Sequence, residues 1–158
     1  MFVYYSGAFP INNNQVGERH GYVISHADFP KSYTANITSY LMIKDLQPGQ
    51  IVQIKFLFFD LYYRSGYPGC NDDYLQIITS VNDSIRYCSD PAHKPALQTW
   101  HNFTVNGTTM ALQFITNRNP TVGNGFYFEY RGQYNLSTHY SNTMFMTFFT
   151  IFFDEFHA

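Results

Sequence analysis

The segment Ile51–Asp60, IVQIKFLFFD, decides the fold class of this 158-residue chain. Every second position is apolar, at Val52, Ile54, Phe56 and Phe58. Polar Gln53 and Lys55 fall between them, and a period of two is typical of a β-strand that buries one face. The segment therefore predicts a strand with its even-numbered side chains in the core.

The same alternation recurs in three later segments. Their apolar positions are Leu75 and Ile77; Met110, Leu112 and Phe114; and Phe126, Phe128 and Tyr130. Turn-forming sequences separate them, namely QPGQ, SGYPG, SDPAHKP and NRNPTVGNG. No segment of about 11 residues or more has an apolar period of 3.6, so we expect helices to be short or absent. Short strands with frequent turns indicate an all-β, antiparallel β-sandwich or barrel.

One turn is specified in more detail. Asn106 and Gly107 lie between two β-rich arms in FTVNGTTM. Both residue types accept the positive φ of a type I′ turn, so the sequence predicts a tight hairpin here.

Composition excludes several functional classes. The length suits one domain, and the net charge of −2 with scattered Lys and Arg argues against nucleic acid as a partner.

The residue types that could bind a metal or act in catalysis are not placed for either role. The six histidines never recur at the spacing of a helical metal site. Asp72 and Asp73 are adjacent, so in a strand they would point to opposite faces and could not form an acid/base pair. No catalytic motif is present, and we expect no enzyme activity.

Five N-x-[ST] sequons are present, where chance would give about two. They begin at Asn36, Asn82, Asn102, Asn106 and Asn135. The two cysteines form no CxxC motif, which leaves both a disulfide and a pair of thiols open. The sequons favour a secreted glycoprotein, although the N-terminal sequence lacks the features of a signal peptide.

We expect three parts along the chain: an N-terminal extension over residues 1–20, a domain over 21–132 and a partly hydrophobic tail over 133–158. The tail contains MFMTFFTIFF, Met144 to Phe153. A membrane-spanning helix needs about 20 apolar residues, so a membrane role is not expected unless this run is a truncated anchor.

The order of these segments resembles the CUB domain, an extracellular module. The resemblance covers Gly21 to Tyr130 and rests on GYVIS, FPKSY, IVQIKFLFFDL, the cysteine before DDYLQI, RYC, ALQFIT and GNGFYFEY. It implies a β-sandwich of jelly-roll topology and an extracellular setting.

The resemblance also implies a set of site residues. The second disulfide of the family maps onto Cys70 and Cys88, while the first is absent, with Ser39 at its downstream position. The calcium positions of the family fall at Tyr62, Asp73 and Asn117, so only one carboxylate is kept. Calcium prefers six to eight oxygen ligands with several charges, and we expect no cofactor, with calcium as the alternative. Asp60 and Asp72 are the nearby carboxylates that could compensate.

The main functional expectation is a non-catalytic extracellular module that binds a protein or a glycan through its end loops. The binding-loop residues would be Tyr62, Asp72, Asp73 and Asn117. Two alternatives are a spacer or exosite domain in a larger secreted protease, receptor or matrix protein, and calcium-dependent ligand binding.

Overall fold

The structure, a computed structural model, describes residues 7–17, 20–117, 119 and 122–133. These residues form ten strands and no helix. The strands are β1 Ala8–Pro10, β2 Asn14–Val16, β3 His20–Ile24, β4 Thr38–Ile43, β5 Ile51–Asp60, β6 Tyr74–Ser80, β7 Asp83–Tyr87, β8 Trp100–Thr104, β9 Met110–Ile115 and β10 Gly125–Gln133.

Two five-stranded sheets pack face to face. One has the order β1-β3-β10-β5-β8 and the other β2-β4-β9-β6-β7. The pairings are antiparallel except for β1 with β3 and β2 with β4. The expectation of an all-β antiparallel sandwich is confirmed, and the barrel alternative is excluded.

The inner faces of the two sheets form one hydrophobic core. The side chains predicted to be buried in the later strands are at most 1% exposed: Leu75, Ile77, Met110, Leu112, Phe114, Phe126, Phe128 and Tyr130. Aromatic rings from the two sheets pack against each other in this core; the ring centroids of Phe114 and Phe126, for example, are 5.2 Å apart. The alternation in the sequence therefore identified the core of these strands correctly.

The strand that decides the fold departs from its predicted pattern near its end. Val52, Ile54 and Phe56 are fully buried as expected. A β-bulge then shifts the register opposite Tyr127 and Phe128. Because a bulge inserts one residue, Phe58 turns to the outer face and Phe59 takes its place in the core, at 3% exposure.

The predicted Asn106–Gly107 hairpin is wrong. The strand before it, β8, pairs with β5 in one sheet, whereas β9 after it pairs with β4 and β6 in the other. Neither Asn106 nor Gly107 has a positive φ. The two residues connect the sheets rather than reverse the chain within one sheet.

Two strands precede Gly21. β1 extends the first sheet beside β3, and β2 extends the second sheet beside β4. Part of the expected 1–20 extension thus lies in the sandwich. The limits of the domain as a folding unit remain a prediction, and the tail beyond residue 133 lies outside the described residues.

Three loops meet at one end of the sandwich. In the sheet registers, Tyr74 faces Ile115 and Gly125 faces Asp60. The loops 61–73 and 25–37, and the described residues of 116–124, therefore lie at the same edge. Gly125 has a φ of +96°, and a Cβ at this position would collide with the side chain of Ser25, so the third loop packs tightly against the second.

Candidate functional site

Asp73 is the centre of the loop end. It directly precedes β6, and only 1% of its surface is exposed. Its Oδ2 accepts a hydrogen bond from the Tyr33 hydroxyl at 2.6 Å, and its Oδ1 accepts one from the Asn117 backbone N–H at 2.8 Å. Both oxygens of this buried carboxylate are therefore used within the chain.

The environment shifts the acidity of both partners. Burial raises the pKa of Asp73, and the hydrogen bonds from Tyr33 and Asn117 oppose that rise. Burial also raises the pKa of Tyr33 well above its usual range, and its hydrogen bond to Asp73 adds to this effect. The raised pKa keeps the Tyr33 hydroxyl protonated at neutral pH, so that it can donate to Asp73.

Tyr33 was not identified as a site residue from the sequence. Besides donating to Asp73, its hydroxyl accepts a hydrogen bond from the Tyr62 backbone N–H at 2.8 Å. Its ring packs edge-on against Phe114 at 5.3 Å. The signal was its place in the FPKSY segment, but nothing in the sequence pairs it with a carboxylate 40 positions away.

The other predicted residues join the same network. Asn117 donates through Nδ2 to Asp72 Oδ1 at 2.8 Å, and its Oδ1 accepts the Asn119 N–H at 2.8 Å. Asn119 in turn donates through Nδ2 to the Tyr62 hydroxyl at 2.8 Å. Tyr62, Asp72, Asp73 and Asn117 are thus brought together, with Tyr33 and Asn119 added.

The expected separation of Asp72 and Asp73 does not occur. Both lie in the turn before β6, where the alternation of a strand does not apply. Each makes a hydrogen bond to Asn117, and the charge of Asp72 contributes to the raised pKa of Asp73.

Arg64 lies beside this network on the 61–73 loop. Its Nη2 is 4.0 Å from Asp72 Oδ1, and 47% of its side chain is exposed. The guanidinium lies over the Tyr67 ring, 5.1 Å from the ring centroid. A hydrogen bond to Tyr62 and the charge of Asp72 raise the pKa of Arg64 further.

A disulfide closes the base of this loop. Cys70 and Cys88 are bonded, with their Cα atoms 5.5 Å apart, so the pairing implied by the resemblance is confirmed. Nearby, Asp90 Oδ2 accepts the Gly69 N–H at 2.7 Å and contacts His93 Nδ1 at 2.8 Å. The bond to Gly69, followed by that to His93, lowers the pKa of Asp90.

The residues at the calcium positions of the family do not fit the ion. Calcium takes six to eight oxygens and binds more tightly as more of them are charged. Here Asp73 is the only carboxylate of the three, and the oxygens of Asp73, Asn117 and Tyr62 all accept protein hydrogen bonds. Asp60, proposed as a substitute, accepts the Asn124 N–H instead.

A second possible metal cluster is also unsuitable. Within the described ranges, the one group of three candidate ligands is Cys70, Cys88 and His93. Both sulfurs are in the disulfide and cannot act as thiolate ligands.

Four of the sequons lie in the described part of the chain. Asn36, Asn82, Asn102 and Asn106 are all exposed at the surface. Asn102 Oδ1 accepts a hydrogen bond from Gln53 Nε2 at 2.7 Å. Exposure is compatible with glycosylation, which stays a prediction at these four sites, and Asn135 lies outside the described residues.

The two packed sheets, the single disulfide and the hydrogen-bonded loop end define an all-β sandwich module. The chain belongs to the CUB domain family, whose model matches residues 13–130. No curated protein sequence matches the chain.

Solved structures agree on the fold. The MASP-1 CUB2 domain bound to Ca²⁺ is 22% identical with a TM-score of 0.60, and the match covers 76% of this chain and 98% of that one. The CUB1-EGF-CUB2 domain of human MASP-1/3 is 22% identical with a TM-score of 0.61, covering 77% of this chain and 42% of that one. The full extracellular region of zebrafish Gpr126/Adgrg6 is 21% identical with a TM-score of 0.58, and the match covers 77% of this chain and 15% of that one.

The chain spans 15% of the zebrafish extracellular region and 42% of the human three-domain segment. Two of these neighbours are therefore much longer than the region they share with this chain. None of the described residues forms a helix long and apolar enough to cross a membrane. The hydrophobic run at Met144 to Phe153 lies outside the described residues.

Proposed function

We propose that this chain is a non-catalytic extracellular interaction module, which binds a protein or glycan partner through the loop end around Tyr62, Asp72, Asp73 and Asn117. The observation that carries the proposal is the hydrogen-bonded network that joins three loops at this end. Binding residues are commonly placed on loops that a rigid scaffold holds in position.

The network supports binding because it orders the loops before a partner arrives. Tyr33 links loop 25–37 to Asp73 and to the Tyr62 backbone, while Asn117 links loop 116–124 to Asp72 and Asp73. Ordered loops lose less conformational entropy on binding than mobile loops do. Exposed aromatic side chains such as Tyr67, at 61%, add contact area.

The same contacts argue against catalysis at this end. A general base needs a lone pair that can reach a substrate proton. Both oxygens of Asp73 accept protein hydrogen bonds, and the residue is 1% exposed. Membership of the CUB family supports the same conclusion.

A second candidate is a spacer or exosite domain of a larger secreted protease, receptor or matrix protein. It is favoured by the neighbours in which the shared region is a fraction of the whole, 15% in the zebrafish extracellular region. In that case the loop end would contact a neighbouring domain of the same protein.

A binding screen tests the proposal. The full chain is immobilised and probed with a library of extracellular protein domains and with a glycan array, with and without 5 mM calcium. Each hit is then measured against Asp72→Asn and Tyr62→Phe at the loop end. The matched control is Val81→Ser, a 99% exposed residue that β6 separates from Asp73 by about 20 Å.

We expect at least one hit that the loop-end variants weaken and Val81→Ser does not, with equal binding in both calcium conditions. Hits that tolerate the loop-end variants would show that the partner binds another surface. The spacer alternative predicts no hit from the screen and binding only to a domain encoded beside this one.

A further inference from the structure

We propose that the loop end recognises an acidic segment of a partner protein, with Arg64 as the group that receives its carboxylate. This inference rests on the proposed function and names the chemistry of the partner. It follows from which hydrogen-bonding groups at this end are already used and which are presented to solvent.

The carboxylates at this end are committed within the chain. Asp73 is 1% exposed and accepts hydrogen bonds at both oxygens. Asp72 accepts the Asn117 side chain at 2.8 Å, and the guanidinium of Arg64 is 4.0 Å away. A lysine or arginine from a partner would have to displace these contacts to reach either carboxylate.

Arg64 is only partly engaged within the chain. It donates a hydrogen bond to Tyr62, its Nη2 is 4.0 Å from Asp72 Oδ1, and it lies over the Tyr67 ring, yet 47% of its side chain is exposed. A guanidinium has five N–H donors, so donors remain for a partner's carboxylate. A guanidinium donates two parallel hydrogen bonds to a carboxylate, and that geometry is stronger and more specific than a single contact. Tyrosine and arginine are also the residue types that dominate binding energy at protein interfaces.

The loop holds Arg64 in a defined place. On the N-terminal side of Arg64, the Leu61 N–H donates to Ser89 Oγ at 2.9 Å, and on its C-terminal side the Gly69 N–H donates to Asp90 Oδ2 at 2.7 Å. The Tyr67 N–H donates to the Arg64 carbonyl at 3.3 Å, and this hydrogen bond closes a turn between the two residues of the cation–π contact. Little ordering is therefore left for the partner to impose.

The test uses peptides as defined probes. A phage-displayed library of random 12-residue peptides is selected on the immobilised full chain at low salt, and the enriched peptides are synthesised. Each is measured against the wild type, Arg64→Gln and Arg64→Glu. The matched control is Arg131→Gln, because Arg131 is also exposed and also lies over a ring, 4.0 Å from the centroid of Trp100.

We expect enriched peptides to carry more Asp and Glu than Lys and Arg. Arg64→Gln should weaken their binding about tenfold, the size of a lost charge-assisted hydrogen bond at a partly exposed site. Arg131→Gln should leave it within about twofold, and replacing the acidic residue of a peptide with its amide should reproduce the loss.

Enrichment of basic or uncharged peptides, an unenriched selection, or equal binding by wild type and Arg64→Gln would each overturn the inference. So would Arg64-dependent binding to heparin in place of peptides, since that result would identify a sulfated glycan as the ligand class. If the domain screen finds a partner that needs Asp72 and Tyr62 but not Arg64, the proposed function stands and only this inference fails.

Discussion

Replacing Tyr33 with Phe tests the network at its most connected point. The substitution removes the hydroxyl that donates to Asp73 at 2.6 Å and accepts from Tyr62 at 2.8 Å, and it keeps the ring packed against Phe114. A hydrogen bond to a charged group contributes about 1.5 to 3 kcal/mol and a neutral one about 0.5 to 1.5. The expected loss is about 2 to 4 kcal/mol, because the buried Asp73 carboxyl and the part-buried Tyr62 N–H both lose their partner.

The assay is thermal unfolding followed by circular dichroism. For a domain of this size about 1 kcal/mol corresponds to about 4 °C, so the unfolding midpoint should fall by about 8 to 16 °C. Tyr87→Phe is the matched control. Its ring is also buried, at 9% exposure, and its hydroxyl has no hydrogen-bond partner among the described residues.

The loss should also depend on pH. Without the Tyr33 hydroxyl, the already raised pKa of Asp73 rises further, and a raised pKa makes the folded state less stable as pH increases past the ordinary value of 3.8. The difference in unfolding midpoint between the wild type and Tyr33→Phe should therefore be smaller at pH 3 than at pH 7. A midpoint within about 3 °C of the wild type, or a loss equal to that of Tyr87→Phe, would refute the reasoning.

Three further predictions concern stability. Replacing Cys70 and Cys88 together with Ser should cost about 3 kcal/mol in guanidinium unfolding, since a disulfide that closes a loop of this length restricts the unfolded chain by that amount; an unchanged midpoint would contradict this. Leu75→Ala, at a fully buried position, should lower the free energy of unfolding by about 2 to 5 kcal/mol in the same assay. A loss below about 1 kcal/mol would place Leu75 outside a packed core. The lowered pKa of Asp90 makes its contribution complete above the ordinary value of 3.8 and lost as pH falls through its folded pKa. Thermal scans from pH 5 to pH 2.5 should therefore show wild type losing stability more steeply than Asp90→Asn; parallel curves would exclude the assignment.

Much of the fold could be predicted because it depends on side-chain alternation. Leu112 and Phe114 are buried because a period of two places them on one face, and that period is visible in the sequence. The bulge that exchanges Phe58 for Phe59 was not visible, since four aromatic or aliphatic residues in a row suit either face.

The prediction of a hairpin at Asn106 and Gly107 was wrong for a different reason. The local turn chemistry was compatible with a tight reversal, but the core required β8 and β9 to lie in different sheets. Strand pairing across 50 or more positions, as between Val52 and Phe103, is decided by packing between the sheets, which no short motif records.

The sequence predicted which of the family-position residues lie at the loop end, but it did not predict the contacts that they make there. The resemblance grouped Tyr62, Asp73 and Asn117, and the structure brings them into one network. The same resemblance carried no sign that Tyr33 would occupy the space around Asp73 or that Arg64 would lie next to Asp72. The Tyr33–Asp73 contact joins two loops that are distant in sequence, and the Arg64–Asp72 contact depends on how the 61–73 loop folds back on itself. No short motif records either arrangement.

We propose that hydrogen bonds, and not calcium, order the loop end. The most direct test is the unfolding midpoint of the full chain in 5 mM calcium and in EGTA, with Tyr62→Glu/Asn117→Asp as the comparison, because these changes restore carboxylates at the two altered family positions. We expect no shift for the wild type and a calcium-dependent rise for the double variant. Calcium bound at about 50 μM would stabilise the wild type by about 2.7 kcal/mol and raise its midpoint by about 10 °C, and a rise of that size would contradict the claim.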